Sequence, residues 1–166
     1  MVVVTGAGTG HGTNTIEGKI MTRSLNELIE TFYRGFSGDT ALFDDVVTPD
    51  WDDIPLGPDQ APGRDGIKPL VTAINRAFAD FKIVVHTIVD GRADNGNGLV
   101  AVRAEICGTH DGDWFGVPAT GQQVRIRIHE FHEVIDGRMV RTWHLEDWLG
   151  WFQQVGAWPT VGNEEK

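Results

Sequence analysis

The chain has 166 residues, 40% of them hydrophobic and 23% charged, with 14 basic and 24 acidic side chains for a net charge of −10. That length fits one domain with one core, and the acidic balance, without a Lys/Arg stripe, argues against nucleic acid and anionic membrane surfaces as partners. The single cysteine, Cys107, excludes an internal disulfide and a multi-cysteine zinc site, and no apolar run reaches the roughly 18–20 residues of a membrane span, so the expected location is cytoplasmic.

Residues 1–23 are rich in Gly and Thr. Thr5-Gly6, Gly10 and Gly12 resemble a nucleotide-binding glycine turn, but no helix starts directly after Gly12 and no βαβ unit follows. The segment reads as a flexible leader to one domain at 24–160, with 161–166 as a tail. Ser24 to Phe36 predicts the first helix. Ser24 is a candidate N-cap with Glu27 as its capping-box partner, and Leu25, Leu28, Ile29, Phe32 and Phe36 form one apolar stripe. Gly35 and Gly38 fit its end. Thr40 to Val47 predicts a second, short helix. Residues 39–65 hold eight Asp against one basic side chain, Arg64. They read as a solvated acidic surface with turn-forming Asp, or as a polar rim around a cavity mouth. Pro55, Pro58 and Pro62 mark an irregular loop there.

Asp65 to Asp80 predicts a third helix with Ile67, Leu70, Val71, Ile74 and Phe78 on its apolar face. Beyond it the period changes. Lys82–Asp90, Leu99–Thr109, Val124–Ile135 and Met139–Asp147 predict four strands. Gly91, Asn95-Gly96, Gly112 and Asp136-Gly137 lie in the turns between them. Trp148 to Val155 reads as a C-terminal helical segment. Three helices followed by four antiparallel strands make an α+β arrangement: a curved antiparallel or mixed sheet forming a cone, with the helices in its concave side and a ligand cavity at its open end.

Several stretches resemble the SnoaL-like polyketide cyclase family. Thr109-His110-Asp111-Gly112, Phe115-Gly116-Val117 and Thr120-Gly121 are similar to its central loop. Phe78-Ala79-Asp80 resembles its Phe-Pro-Asp turn. Asp136-Gly137-Arg138-Met139-Val140-Arg141-Thr142-Trp143 resembles its Asp-Gly-Lys-Ile…Trp strand, and Asp147-Trp148-Leu149-Gly150 with Gln154-Val155-Gly156 its tail. The resemblance spans about 25–160. It implies the nuclear-transport-factor-2-like α+β barrel, commonly a homodimer, and chemistry without cofactor or metal on a small hydrophobic molecule.

The candidate chemistry sits on the last two strands. Val124, Ile126, Ile128, Glu130, His132 and Val134 share one face of the first. A two-residue Asp136-Gly137 turn places Glu130 opposite Trp143, which the apolar pattern favours. A three-residue loop shifts the register by one, so that Glu130, His132, Thr142 and His144 share a face, which the resemblance favours. On the second register His144 stands where the resemblance implies a general acid/base Asp. The expected catalytic set is His144, Glu130 and His132, with His144 removing a proton alpha to a carbonyl. Tyr33, Phe36, Thr72, Trp143 and Asp147 are the expected substrate contacts, with Asp147 equally suited to cap the C-terminal helix. The functional expectation is a cofactor-independent cyclase, isomerase, lyase or hydrolase. The alternative is a non-catalytic binding protein for a small hydrophobic ligand.

Overall fold

The computed structural model describes residues 23–158, so the leader and tail expectations lie outside the described residues, apart from Arg23. Helix α1 (Leu25–Phe36) starts with the expected capping box: the Ser24 hydroxyl accepts from the Glu27 amide, and the Glu27 carboxylate accepts from the Ser24 amide. Such a cap stabilises a helix start by about 1 kcal/mol. Gly35 does not break α1. It is buried inside it, and a Cβ there would stand 2.7 Å from the Phe43 ring. The glycine thus lets the next segment pack onto the helix.

That segment is shorter than expected as a helix. A 3-10 turn at Thr40–Leu42 leads into the single turn α2 (Phe43–Val46), and the chain then extends into β1 (Val47–Ile54). Strand β1 is absent from the sequence reading. A 3-10 turn at Arg64–Gly66 precedes α3 (Ile67–Ala77). The remaining elements are β2 (Lys82–Arg92), β3 (Gly98–Thr109), β4 (Gln123–Ile135), β5 (Arg138–Glu146) and α4 (Trp148–Gln154).

The sheet has five strands in the order β1-β5-β4-β3-β2. Strand β1 runs parallel to β5 at one edge, and all other pairs are antiparallel, so the sheet is mixed and does not close on itself. One face is buried. Val100, Val102, Ala104 and Ile106 of β3 and Val124, Ile126 and Ile128 of β4 meet the apolar stripes of α1 and α3. Phe32 lies at the centre, its ring edge-on to Phe36, Phe43, Trp51 and His132. Truncating a ring buried this completely costs about 3–5 kcal/mol. No described helix is long and apolar enough to cross a membrane.

The β4–β5 hairpin combines the two expected registers. Asp136 and Gly137 both have positive φ, 50° and 76°, so the turn is the tight two-residue type, with Ile135 facing Arg138 and Val134 facing Met139. Val140 is then an extra residue in β5. Beyond it Glu133 faces Arg141, His132 faces Thr142 and Glu130 faces His144. The register shift thus comes from a β-bulge and not from a longer loop.

Candidate functional site

A cavity of about 330 Å³ lies between α1, α3 and the buried face of the sheet. Phe36, Leu70, Phe81, Ile106, Trp114 and Trp148 are among its apolar walls. Its polar side chains are contiguous. Glu130 comes from β4, Thr142, His144 and Glu146 come from β5 after the bulge, Asp53 comes from β1, and Gln60 follows in the next loop. The two-residue alternation of a strand keeps the β5 trio on one face.

His144 is clamped. Its Nδ1 lies 2.7 Å from Glu146 Oε1, and its Nε2 lies 2.9 Å from the Pro55 carbonyl oxygen and 3.3 Å from Asp53 Oδ1. Every one of these partners is an acceptor, so both ring nitrogens carry hydrogen and the ring is an imidazolium. Burial opposes that charge, but the hydrogen bonds and negative charges of Asp53 and Glu146 outweigh it and push the His144 pKa up to about 10. Asp53 is itself buried, and its other oxygen accepts from Gln60 Nε2 at 2.8 Å.

Glu130 and His132 sit deeper. Burial raises the Glu130 carboxyl to about 7, against the lowering effects of the Tyr33 hydrogen bond and the His144 charge. The Tyr33 hydroxyl reaches across from α1 to donate to Glu130 Oε2. Burial, followed by the charge of His144, lowers His132 to about 3, so its ring is neutral. Thr142 Oγ1 accepts from Trp51 Nε1 at 3.0 Å and lies 3.0 Å from His132 Nδ1. With the threonine donating to Nδ1, the His132 proton resides on Nε2. That atom has no hydrogen-bond partner, and Glu130 Oε2 lies 3.6 Å away. A neutral ring at that distance forms neither an ion pair nor a hydrogen bond.

The structure therefore brings Glu130, His132, Thr142 and His144 to one face, with Tyr33 touching Glu130 and Phe36 on the cavity wall. It separates the other expected contacts from the cavity. Thr72 is exposed on α3 and its hydroxyl donates to the Lys68 carbonyl, because helical spacing turns it away from the apolar face. Trp143 alternates onto the opposite face of the sheet, where Arg141 stacks over its ring at 5.4 Å. Asp147 caps α4 by accepting from the Gly150 amide at 2.8 Å. Among the described residues no three His, Cys, Asp or Glu side chains are grouped to ligate one metal ion.

A family model described as SnoaL-like polyketide cyclase matches residues 27–155, which include every residue of this polar wall. The chain belongs to the SnoaL-like polyketide cyclase family. Solved structures agree in fold. TsrD from Streptomyces laurentii is 22% identical with a TM-score of 0.70, over 80% of this chain and 94% of that one. IdmH from Streptomyces antibioticus, a candidate polyketide cyclase, is 27% identical with a TM-score of 0.65, over 79% and 97%. AclR from Streptomyces galilaeus, a candidate hydroxylase, is 22% identical with a TM-score of 0.62, over 84% and 87%. No curated protein matches the chain in sequence.

Two acidic residues of this SnoaL-like site were missed from sequence, along with Gln60. Asp53 is hidden among eight acidic residues, and only its spacing of two from Trp51 marks it as facing inward. Glu146 shares the face of His144 by the same strand alternation that places Thr142 beside it.

Proposed function

We propose that the protein is an enzyme of the polyketide cyclase type that works by general acid/base catalysis on a small hydrophobic carbonyl compound held in the cavity. The observation carrying this reading is the pairing of Glu130 with the clamped imidazolium of His144 on one polar wall of an otherwise apolar chamber. The surroundings of His144 do not suit the expected role of proton acceptor, since a doubly protonated ring has no free lone pair. The two roles divide differently. Glu130, poised near neutrality, takes the proton alpha to the carbonyl, and the electron pair moves to the carbonyl oxygen. The positive His144 stabilises that developing negative charge. In a ring closure the carbanion then attacks a second carbonyl, and the resulting alkoxide recovers the proton from Glu130. Tyr33 positions Glu130 through its hydrogen bond, and neither it nor the sealed His132 need touch substrate. No step calls for a cofactor or a metal.

The test is solvent-deuterium exchange alpha to the carbonyl of aromatic polyketide-like ketones. Glu130→Gln is expected to lower the exchange rate by about 10²–10⁴-fold. In the parent protein kcat/KM is expected to rise with pH through about 7, as Glu130 ionises, and to fall above about 10, as His144 loses its proton. Ligand binding without exchange would move the protein to the binding class. We also propose that a second copy of this chain covers the outer face of the sheet, where Phe131, Trp143 and Leu145 are exposed.

A further inference from the structure

We infer that the cavity selects ligands that are cationic as well as hydrophobic, namely a ring system bearing a protonated amine, and rejects carboxylates. It rests on the proposed reading of the cavity as the ligand site and concerns what the cavity holds: an ammonium seated on Glu130 occupies the base, so such a ligand is bound and not turned over. Three carboxylate side chains line it, Asp53, Glu130 and Glu146, against one cation, His144, and no lining residue is Lys or Arg. His144 is already held by two of the three, Asp53 and Glu146, and neither of its ring nitrogens bonds to Glu130. Glu130 is left over. It is more than nine-tenths buried, its Oε2 takes the Tyr33 hydroxyl, and no described residue donates to its other oxygen. A carboxylate oxygen without a donor, on a side chain that lines the cavity, is a site for one, and a donor with a positive charge gains most in a chamber of low dielectric. The rest of the ligand must be apolar. The rings of Trp114, Phe115 and Trp148 all line the chamber, with centroids 5.0 to 5.9 Å apart, and offer a packing surface for a planar body. An anion meets the reverse situation: it brings a fourth negative charge to the polar wall.

Three probes of one shape test this: 2-naphthylmethylammonium, 2-naphthylmethanol and 2-naphthoate, titrated calorimetrically into the purified protein. The ammonium is expected to bind at least about tenfold tighter than the alcohol, and the naphthoate weaker than both. The advantage should grow between pH 6 and pH 8 as Glu130 ionises. The groups facing Glu130 are Tyr33 from α1, Asp53 from β1, His132 beside it, and His144 and Glu146 from β5. Of these, His132 and His144 keep their protonation across that window, at about 3 and about 10. Glu130→Gln should shrink the ratio of ammonium to alcohol affinity and remove its pH dependence, with a thermal melt to check the fold. Equal affinity for ammonium and alcohol, or tighter binding of naphthoate, overturns the inference while leaving the cavity reading intact. If none of the three binds, the cavity reading falls and the inference falls with it.

Discussion

Two histidines twelve residues apart on neighbouring strands show how one side-chain type is set to opposite protonation states. His132 and His144 face the same side of the sheet. His132 is sealed beneath the cavity among Phe32, Tyr33 and Thr142, with one hydrogen-bond partner and no close carboxylate in bonding geometry, and burial holds it neutral. His144 lines the cavity between two carboxylates and is held charged. The difference lies in the acceptors supplied by other strands. Asp53 comes from β1, which is parallel to β5, and Glu146 comes from one alternation further along β5. The deep half of the site is thus a neutral scaffold for Glu130, and the half nearer β1 is a fixed positive charge.

The largest expected break removes the clamp. The double variant Asp53→Asn with Glu146→Gln leaves His144 with neutral partners, so its pKa falls from about 10 toward the ordinary imidazole range. Proton exchange is expected to drop about 10²–10³-fold at pH 8, as when one preorganised transition-state donor is lost. An NMR titration of the His144 ring reads the pKa directly. An unshifted ring or unchanged exchange contradicts the assigned role. The clamp also has a signature in stability. Its folded-state pKa lies above the unfolded value, so the stabilisation is complete below about 6.5 and is lost as pH rises through about 10. The double variant should flatten the alkaline side of a plot of Tm against pH.

The next effect tests the deep half. Thr142→Val removes the hydroxyl shared by Trp51 Nε1 and His132 Nδ1 and leaves two buried polar atoms unpaired. A loss of about 1–3 kcal/mol per orphaned group is expected in denaturant unfolding. A neutral outcome would mean that water replaces the hydroxyl. A smaller effect with opposite pH signs separates the two buried partners. His132 has a depressed pKa, so its stability term is present above about 6.5 and lost as pH falls toward about 3. Glu130 has a raised pKa, so its neutral form is favoured by folding and stability declines as pH rises from about 4.5 to about 7. Glu130→Gln should therefore flatten the curve between those two values while lowering exchange by the amount given above. A variant whose stability still declines there assigns the proton elsewhere.

The sequence reading anticipated these regions unequally, and the residues show why. The capping box at Ser24 and the four long strands carry strong local signals, because period 2 and helical spacing survive wherever the inward residues are apolar. Strand β1 does not, since its inward positions Val47, Trp51 and Asp53 include a carboxylate and its outward ones include Asp50 and Asp52. A functional acid in a core position looks like a loop acid until its neighbours are known. The bulge at Val140 is likewise invisible, because the tight Asp136-Gly137 turn alone predicts a register that puts Trp143 opposite Glu130. The resemblance to the family pointed to the shared face correctly but for the wrong local reason, a longer loop. Trp143 and Thr72 are expected substrate contacts, and strand alternation and helical phase turn both away from the cavity.

The outer face of the sheet sharpens the comparison last, because changes there should leave both halves of the site untouched. Phe131 pairs with Trp143 across β4 and β5 and with Ala101 across β3 and β4, and Ala101 pairs with Val89 across β2 and β3. This row crosses four strands, and Val89, Phe131, Trp143 and the neighbouring Leu145 are all exposed, Leu145 at 72%. This row, rimmed by Arg103, Arg127, Glu133 and Arg141, is the face proposed above for a second copy. Leu145→Asp is expected to change folding stability by no more than about 0.5 kcal/mol, since the side chain has little contact to lose. It should nevertheless convert a dimer to a monomer in sedimentation velocity. The inward neighbours His144 and Glu146 alternate to the other side, so the His144 ring titration should be unmoved. A parent protein that sediments as a monomer at every concentration removes the second copy from this face. A monomeric variant with a shifted His144 titration would show instead that the two faces are coupled through β5.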